Sequence, residues 1–283
     1  MNSMKVIKVS SFFALLTAIP AAHAQININD RLKQAGQQLV TGFTFSNEDA
    51  QNVSRNAVVQ LDAKNTIAGP TNAYALRLNR VFGPHKQENG LALNFKVYLT
   101  KDVNAFATAD GSVRVFQGLM DMMDDNQLLA VIGHEIGHVA NEDSRDAAKR
   151  AYLQAGLVDA AASQSDKIAT ATDGDYGKIG QALITSKYSR KQESEADDFS
   201  YDFMKKHGYN VNAVESAFLI LAKLSGGQES SLISQMMSTH PDPASRADKA
   251  LARAEADGLY KPYVVQKAAP AKGGKTPKKG KKK

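Results

Sequence analysis

The sequence contains no cysteine. That excludes disulfides, so stability must come from burial and, if one is held, from a metal ion. It also leaves no thiol to carry a lipid. No run approaches the ~20 apolar residues of a membrane-spanning helix, and no internal repeat is present. Excess positive charge is missing from the body as well. The formal net charge of +6 arises from Lys5, Lys8 and eight lysines between Lys267 and Lys283. Without those ten, 25 basic residues face 29 acidic ones. No aromatic residues interleave the C-terminal lysines, so base stacking has no support and nucleic acid is not an expected partner.

What is present begins with an export signal. Lys5 and Lys8 precede a short apolar run, Phe12 to Ile19, and Ala22-His23-Ala24 is a small-x-small cleavage site. Residues 1–24 are therefore expected to be removed, leaving a soluble, periplasmic chain without a lipid anchor. Residues 25–45 form an N-terminal segment, 46–260 the folded domain and 261–283 a Lys-rich disordered tail. The composition of that tail cannot bury enough surface to offset its ordering entropy. It is either a solvated tail or an electrostatic tether to an anionic surface.

Helical apolar spacing covers Ser46 to Lys64 and Thr71 to Val81. Strand-like alternation follows over Leu91 to Thr100 and Ser112 to Gln117, with Asp110-Gly111 as a turn signal. From Asp124 to about Ala256 the pattern is again helical. The expected fold is α+β: mainly helical, with helices, a small β-sheet and then more helices.

His134-Glu135-Ile136-Gly137-His138 fits H-E-x-x-H. Residues four apart share a helix face, so both imidazoles can reach one ion, and Glu135 can stand beside its water. Asp124 and Gln127 form a capping-box pattern at the start of this helix. Zinc needs a third protein ligand, and the extension that would supply a nearby histidine is absent from Val139 to Ser144. Downstream, Glu193 and Asp197 share a helix face while Glu195 points about 160° away. A ligand with a supporting carboxylate behind it fits that geometry; so does an acidic, solvated helix face.

These residues, with VNAFA (Val103–Ala107), GSVRVFQGLMD (Gly111–Asp121), YSRKQESEAD (Tyr188–Asp197) and STHPDPASR (Ser238–Arg246), resemble the gluzincin family that includes HtpX-, BepA- and LoiP-type peptidases. The run GLMDMM (Gly118–Met123) looks most like the LoiP branch. The resemblance implies a mainly helical zincin-like metallopeptidase domain with a small β-sheet beside the H-E-x-x-H helix and one Zn2+ per chain. It places the ligand carboxylate on Glu193 and a supporting one on Asp197, in agreement with their shared helix face, and makes the chain a zinc endopeptidase. Its substrates would be unfolded or misassembled envelope proteins, with Glu135 as general base on zinc-bound water. The alternative is a periplasmic chaperone or assembly factor on the same fold. Two departures stand out. LoiP-like relatives are usually lipoproteins. Many relatives also carry a histidine where this chain has Asp143.

The resemblance also brings His240 near the metal. There it is either a latch occupying the fourth ligand position or a transition-state donor; by its own sequence context it could be a surface residue. Tyr188, His240 and Arg246 are candidates for oxyanion stabilisation, and Arg246 is expected among the groups supporting the ligands. The strand containing Ser112, Val113, Arg114 and Val115 is either an exposed edge to which substrate adds as an extra strand or ordinary core sheet. His85 and His207 are expected to be structural or solvated. Met120, Met122 and Met123 are expected to be core filler.

Overall fold

The computed structural model describes residues 45–155, 171–227 and 230–266. The chain divides into Met1–Phe43 and Thr44–Lys283, and the first unit lies outside the described residues. So do the expected export signal and the lysine run 267–283.

Helix α1 (Asn47–Lys64) starts at Ser46, whose hydroxyl accepts from Asp49 N while the Asp49 carboxylate accepts from Ser46 N. Helix α2 (Ala73–Phe82) and a 3-10 turn (Gly83–His85) lead into a two-stranded hairpin, β1 (Gln87–Glu88) and β2 (Leu91–Ala92). Three strands then form the main sheet: β3 (Asn94–Tyr98), β4 (Ala105–Ala107) and β5 (Ser112–Phe116). Their order is β3-β5-β4, with β3 parallel and β4 antiparallel to β5.

The sequence alternation placed strands in β3 and β5 but passed over β4, only three residues long. Its consequence is topological: β5 is the central strand. All five of its residues are buried. Ser112, Val113, Arg114 and Val115 pair with β3 on one side, and Val113, Arg114 and Val115 pair with β4 on the other. The exposed-edge reading is therefore corrected, because no ladder side of this strand is free for substrate. Arg114 is spent internally. Its guanidinium donates to both oxygens of Asp62 at 2.8 and 3.0 Å, and Lys96 and Tyr98 bind the same carboxylate.

After the short helix α3 (Gln117–Met122) comes the central element, α4 (Asp125–Ala140). The expected capping box is formed. Asp124 accepts from Gln127 N at 2.9 Å and Gln127 Oε1 accepts from Asp124 N at 2.9 Å. Leu128, Leu129, Val131, Ile132 and Ile136 are all buried, each contributing about 1.5–3 kcal/mol. Met120 and Met123 fill the same core, and Met122 packs against it.

Helices α5 (Asp143–Gln154), α6 (Asp173–Ile184), α7 (Arg190–Lys206), α8 (Asn212–Ser225), α9 (Ser230–Thr239) and α10 (Pro243–Ala256) complete the domain. None of the described helices is long and apolar enough to cross a membrane. Helix α7 also starts from a capping box, Ser189 with Gln192. It lies close along α4 because α4 presents glycine there. A Cβ at Gly137 would stand 3.0 Å from Ala196 Cα and Phe199 Cβ, and one at Gly133 3.2 Å from Phe203. Ser200 donates to the Ala130 carbonyl at 2.6 Å across the same seam.

The domain also extends past the expected boundary at residue 260. Tyr263 Oη and Gln266 N each donate to the Asp124 carboxylate at 2.8 Å, and Lys261 N donates to Asn212 Oδ1. Residues 261–266, expected in the Lys-rich tail, are thus tied to the body, two of these bonds ending on the helix-capping Asp124 carboxylate.

Candidate metal centre and active site

The close seam between α4 and α7 brings His134 and His138 against Glu193. His134 Nε2 lies 3.1 Å from His138 Nε2. Glu193 Oε1 is 3.5 Å from His138 Nε2, and Oε2 is 3.6 Å from His134 Nε2. These separations match the edges of a tetrahedron with ligands at zinc-like distances, about 3.3–3.4 Å. His240 Nδ1 completes the group, 2.9 Å from Glu193 Oε1 and 3.2 Å from His134 Nε2. All four donor atoms lie within 4.8 Å of one another, and all four residues are buried.

Local chain geometry explains how His240 arrives. It follows the last residue of α9, where its amide donates to Met236 O at 2.8 Å. Pro241 and Pro243 bar an uninterrupted helix, and Asp242 turns the chain in the left-handed region at φ 59°. Asp242 then caps α10 by accepting from Ser245 N. Arg246, on the first turn of α10, is carried into the same place.

Arg246 donates to Asp197 at 2.6 Å and pairs with Glu193 Oε2 at 2.8 Å. Asp197 lies 2.9 Å from His134 Nδ1. The structure thus brings together Asp197, Arg246 and the ligand group. Glu195 is excluded: its half-exposed carboxylate pairs with Lys191 at 3.4 Å on the outer face. Tyr188 stacks on His138 with ring centroids 3.7 Å apart and planes at 13°.

Asp143 is the supporting residue whose role the sequence reading did not assign. Glu142 adopts φ 62°, which turns the chain sharply after α4. Helix α5 then starts with Asp143 facing back, its carboxylate 2.9 Å from His138 Nδ1. Gln192 holds the other Asp143 oxygen at 2.7 Å. The available signal was an acid five residues after a ligand histidine, at the start of a helix.

The electrostatics fit a cation. Burial pushes the Glu193 carboxyl up, but hydrogen bonds from His138 and His240 outweigh it and hold it well below the ordinary carboxylate range. Burial and the Arg246 charge push His134 well down, keeping it neutral. Burial opposes charge on His138 too, but Asp143 and Glu193 outweigh it and raise the imidazole to about 9. An ionised carboxylate and an imidazole whose surroundings favour positive charge make a place that suits a cation, and His138 gives up its proton when it ligates. Burial raises Glu135, and its Oε1 is buried without a hydrogen-bond partner.

The model of peptidase family M48 matches residues 28–254 of this sequence. The chain belongs to peptidase family M48. This M48 chain is 38% identical to the metalloprotease LoiP of Escherichia coli over 229 residues, 81% of the chain and 89% of the relative. It is 36% identical to the metalloprotease YcaL of the same organism over 247 residues, 87% of the chain and 95% of the relative. The β-barrel assembly-enhancing protease of E. coli is 30% identical over 175 residues, 58% of the chain and 34% of that protein. The M48 chain is accordingly a metalloprotease with a zincin-like domain.

Proposed function

We propose that this M48 peptidase is a zinc-dependent endopeptidase that hydrolyses peptide bonds of unfolded or misassembled envelope proteins. The observation that carries the reading is the convergence of His134, His138 and Glu193 beside Glu135, whose buried Oε1 has no hydrogen-bond partner. The donor set of two imidazoles and one carboxylate suits zinc. When bound, the ion supplies Lewis-acid polarisation of water and of the scissile carbonyl.

The chain's own residues do the rest. Glu135 Oε1 accepts a proton from the attacking water and returns it to the leaving amine. Its upward-shifted pKa brings it closer to the operating pH for both transfers. Asp143 and Asp197 orient the two imidazoles from behind. Arg246 is buried and bonded to Asp197 and Glu193, so it positions the ligands instead of meeting an oxyanion. His240 serves as a latch, because its Nδ1 stands at the fourth corner of the donor group while Nε2 lies 3.6 Å from Glu135 Oε1.

Envelope quality control is carried over from the relatives. One of them is named for β-barrel assembly, and the export-signal pattern of residues 1–24 agrees with a periplasmic setting. An intact Glu135 weighs against a chaperone without proteolysis, since a holdase has no use for a general base.

The test compares metal content and cleavage of an unfolded protein for wild type and Glu135→Gln. The variant should retain its zinc and lose about 10²–10⁴-fold in cleavage rate. Wild-type rates from Glu135→Gln would overturn the mechanism.

A further inference from the structure

A second group of metal-type donors lies at the other end of α7. His85, at the end of the 3-10 turn, and Glu88, in β1, meet His207, which caps the C-terminus of α7. Glu88 Oε2 is 2.9 Å from His207 Nε2 and 3.8 Å from His85 Nδ1. One donor atom from each residue falls within 4.8 Å of the other two. The two imidazoles stand edge to face with centroids 4.6 Å apart.

Charge pairing alone does not account for this arrangement. His85 is 3% exposed and its Nδ1 has no hydrogen-bond partner. The 3.8 Å to Glu88 is too long for a hydrogen bond. An isolated buried polar nitrogen is costly. Its other nitrogen is occupied, with Nε2 2.7 Å from the Tyr209 hydroxyl. When that hydroxyl accepts from Nε2–H, Nδ1 is left as a bare lone pair beside the Glu88 carboxylate, 3.8 Å from its Oε2. This is how an outer partner sets the tautomer of a ligating histidine. Phe203 walls the imidazole at a centroid distance of 4.9 Å. Burial and the neighbouring His207 lower the pKa of His85. Lys206 occupies only Glu88 Oε1, at 2.5 Å, leaving Oε2 to the two histidines. His207 is 27% exposed, which leaves a side open for solvent as a fourth ligand.

We propose that His85, Glu88 and His207 bind a second divalent transition-metal ion of the zinc class, separate from the M48 metal centre. Two imidazoles, one carboxylate and an open corner make a borderline donor set that favours zinc or cobalt over magnesium or calcium. The ion clamps the 3-10 turn and β1 onto the C-terminal end of α7. His207 lies fourteen positions, about 21 Å along the helix axis, beyond Glu193. The clamp therefore steadies the far end of the helix that carries a ligand of the catalytic group. This raises the expected zinc content from one ion per chain to two.

The experiment equilibrates the metal-stripped full-length chain with zinc chloride, desalts it and counts ions by mass spectrometry. Wild type should hold two ions, His207→Ala and Glu88→Gln one each, and Glu193→Ala one. The Glu193→Ala chain should also melt at higher temperature with zinc than without, and this gain should vanish in Glu193→Ala/His207→Ala. His207 is partly exposed and Glu88→Gln is nearly isosteric, so circular dichroism should show both folded. Cleavage by His207→Ala should persist. A single ion in wild type that is lost in Glu193→Ala, or two ions kept by both His207→Ala and Glu88→Gln, would overturn the second site. A single ion lost in His207→Ala but kept in Glu193→Ala would uphold it and sink the catalytic reading instead.

Discussion

His240 Nδ1 stands 2.9 Å from Glu193 Oε1, inside the donor group and not on the surface. As the proposed latch, His240 would compete with water for the fourth ligand position and restrain the enzyme until the segment around Pro241 moves. His240→Ala should therefore raise basal cleavage of an unfolded protein while zinc content stays at the wild-type level. A fall in cleavage with zinc retained would make the histidine a transition-state donor. No change in either quantity would remove it from the site.

The two faces of α7 should behave differently. Glu193→Ala leaves two imidazoles at the centre, so zinc occupancy should fall sharply. Glu195→Ala breaks only an exposed pair with Lys191, worth about 0–1 kcal/mol, and should leave metal and cleavage intact. Asp197→Ala and Asp143→Ala each remove a group behind an imidazole and should cost about 10–100-fold in zinc affinity or activity. A competition titration with a chromogenic chelator ranks the four variants.

Asp62 should govern acid stability. Burial pushes its carboxyl up, but hydrogen bonds from Arg114, Lys96 and Tyr98 outweigh it and hold the pKa below its ordinary value. A depressed folded pKa means that the stabilisation is fully present above the unfolded value, near pH 4, and is lost as pH falls through the lower folded value. Asp62→Asn leaves Arg114 buried without its counter-charge. It should cost on the order of 3 kcal/mol at pH 7. The gap between the two proteins should narrow below about pH 4. Urea unfolding at pH 7 and pH 3 measures both; an equal gap at the two values would disprove the linkage.

Truncation should locate the true end of the domain. Removing Lys267 to Lys283 should leave cleavage of a soluble client unchanged. Removing everything from Lys261 onward also deletes the donors from Tyr263 and Gln266 to Asp124, and should cost on the order of 2 kcal/mol. Thermal melts of the two truncations should differ by several degrees. Identical melts would show that residues 261–266 contribute nothing.

Local periodicity determined much of this protein. Four-residue spacing placed His134 and His138 on one face of α4, helix register separated Glu193 from Glu195, and D-x-x-Q marked where α4 begins. Each of these is legible because a helix is built from contacts three and four residues apart. Tertiary structure decided the rest. It took a three-residue strand, β4, to make β5 central and turn Arg114 from a candidate substrate contact into the partner of Asp62, 52 residues earlier. It took an αL residue, Glu142, to aim Asp143 at His138, and another, Asp242, to start α10 so that Arg246 reaches the ligands. His85 and His207 read separately as ordinary histidines; only the path of α7 across the β1 hairpin brings them together. Pairings over such separations leave no periodic trace in the chain, because they depend on which surfaces the packed elements bury against one another.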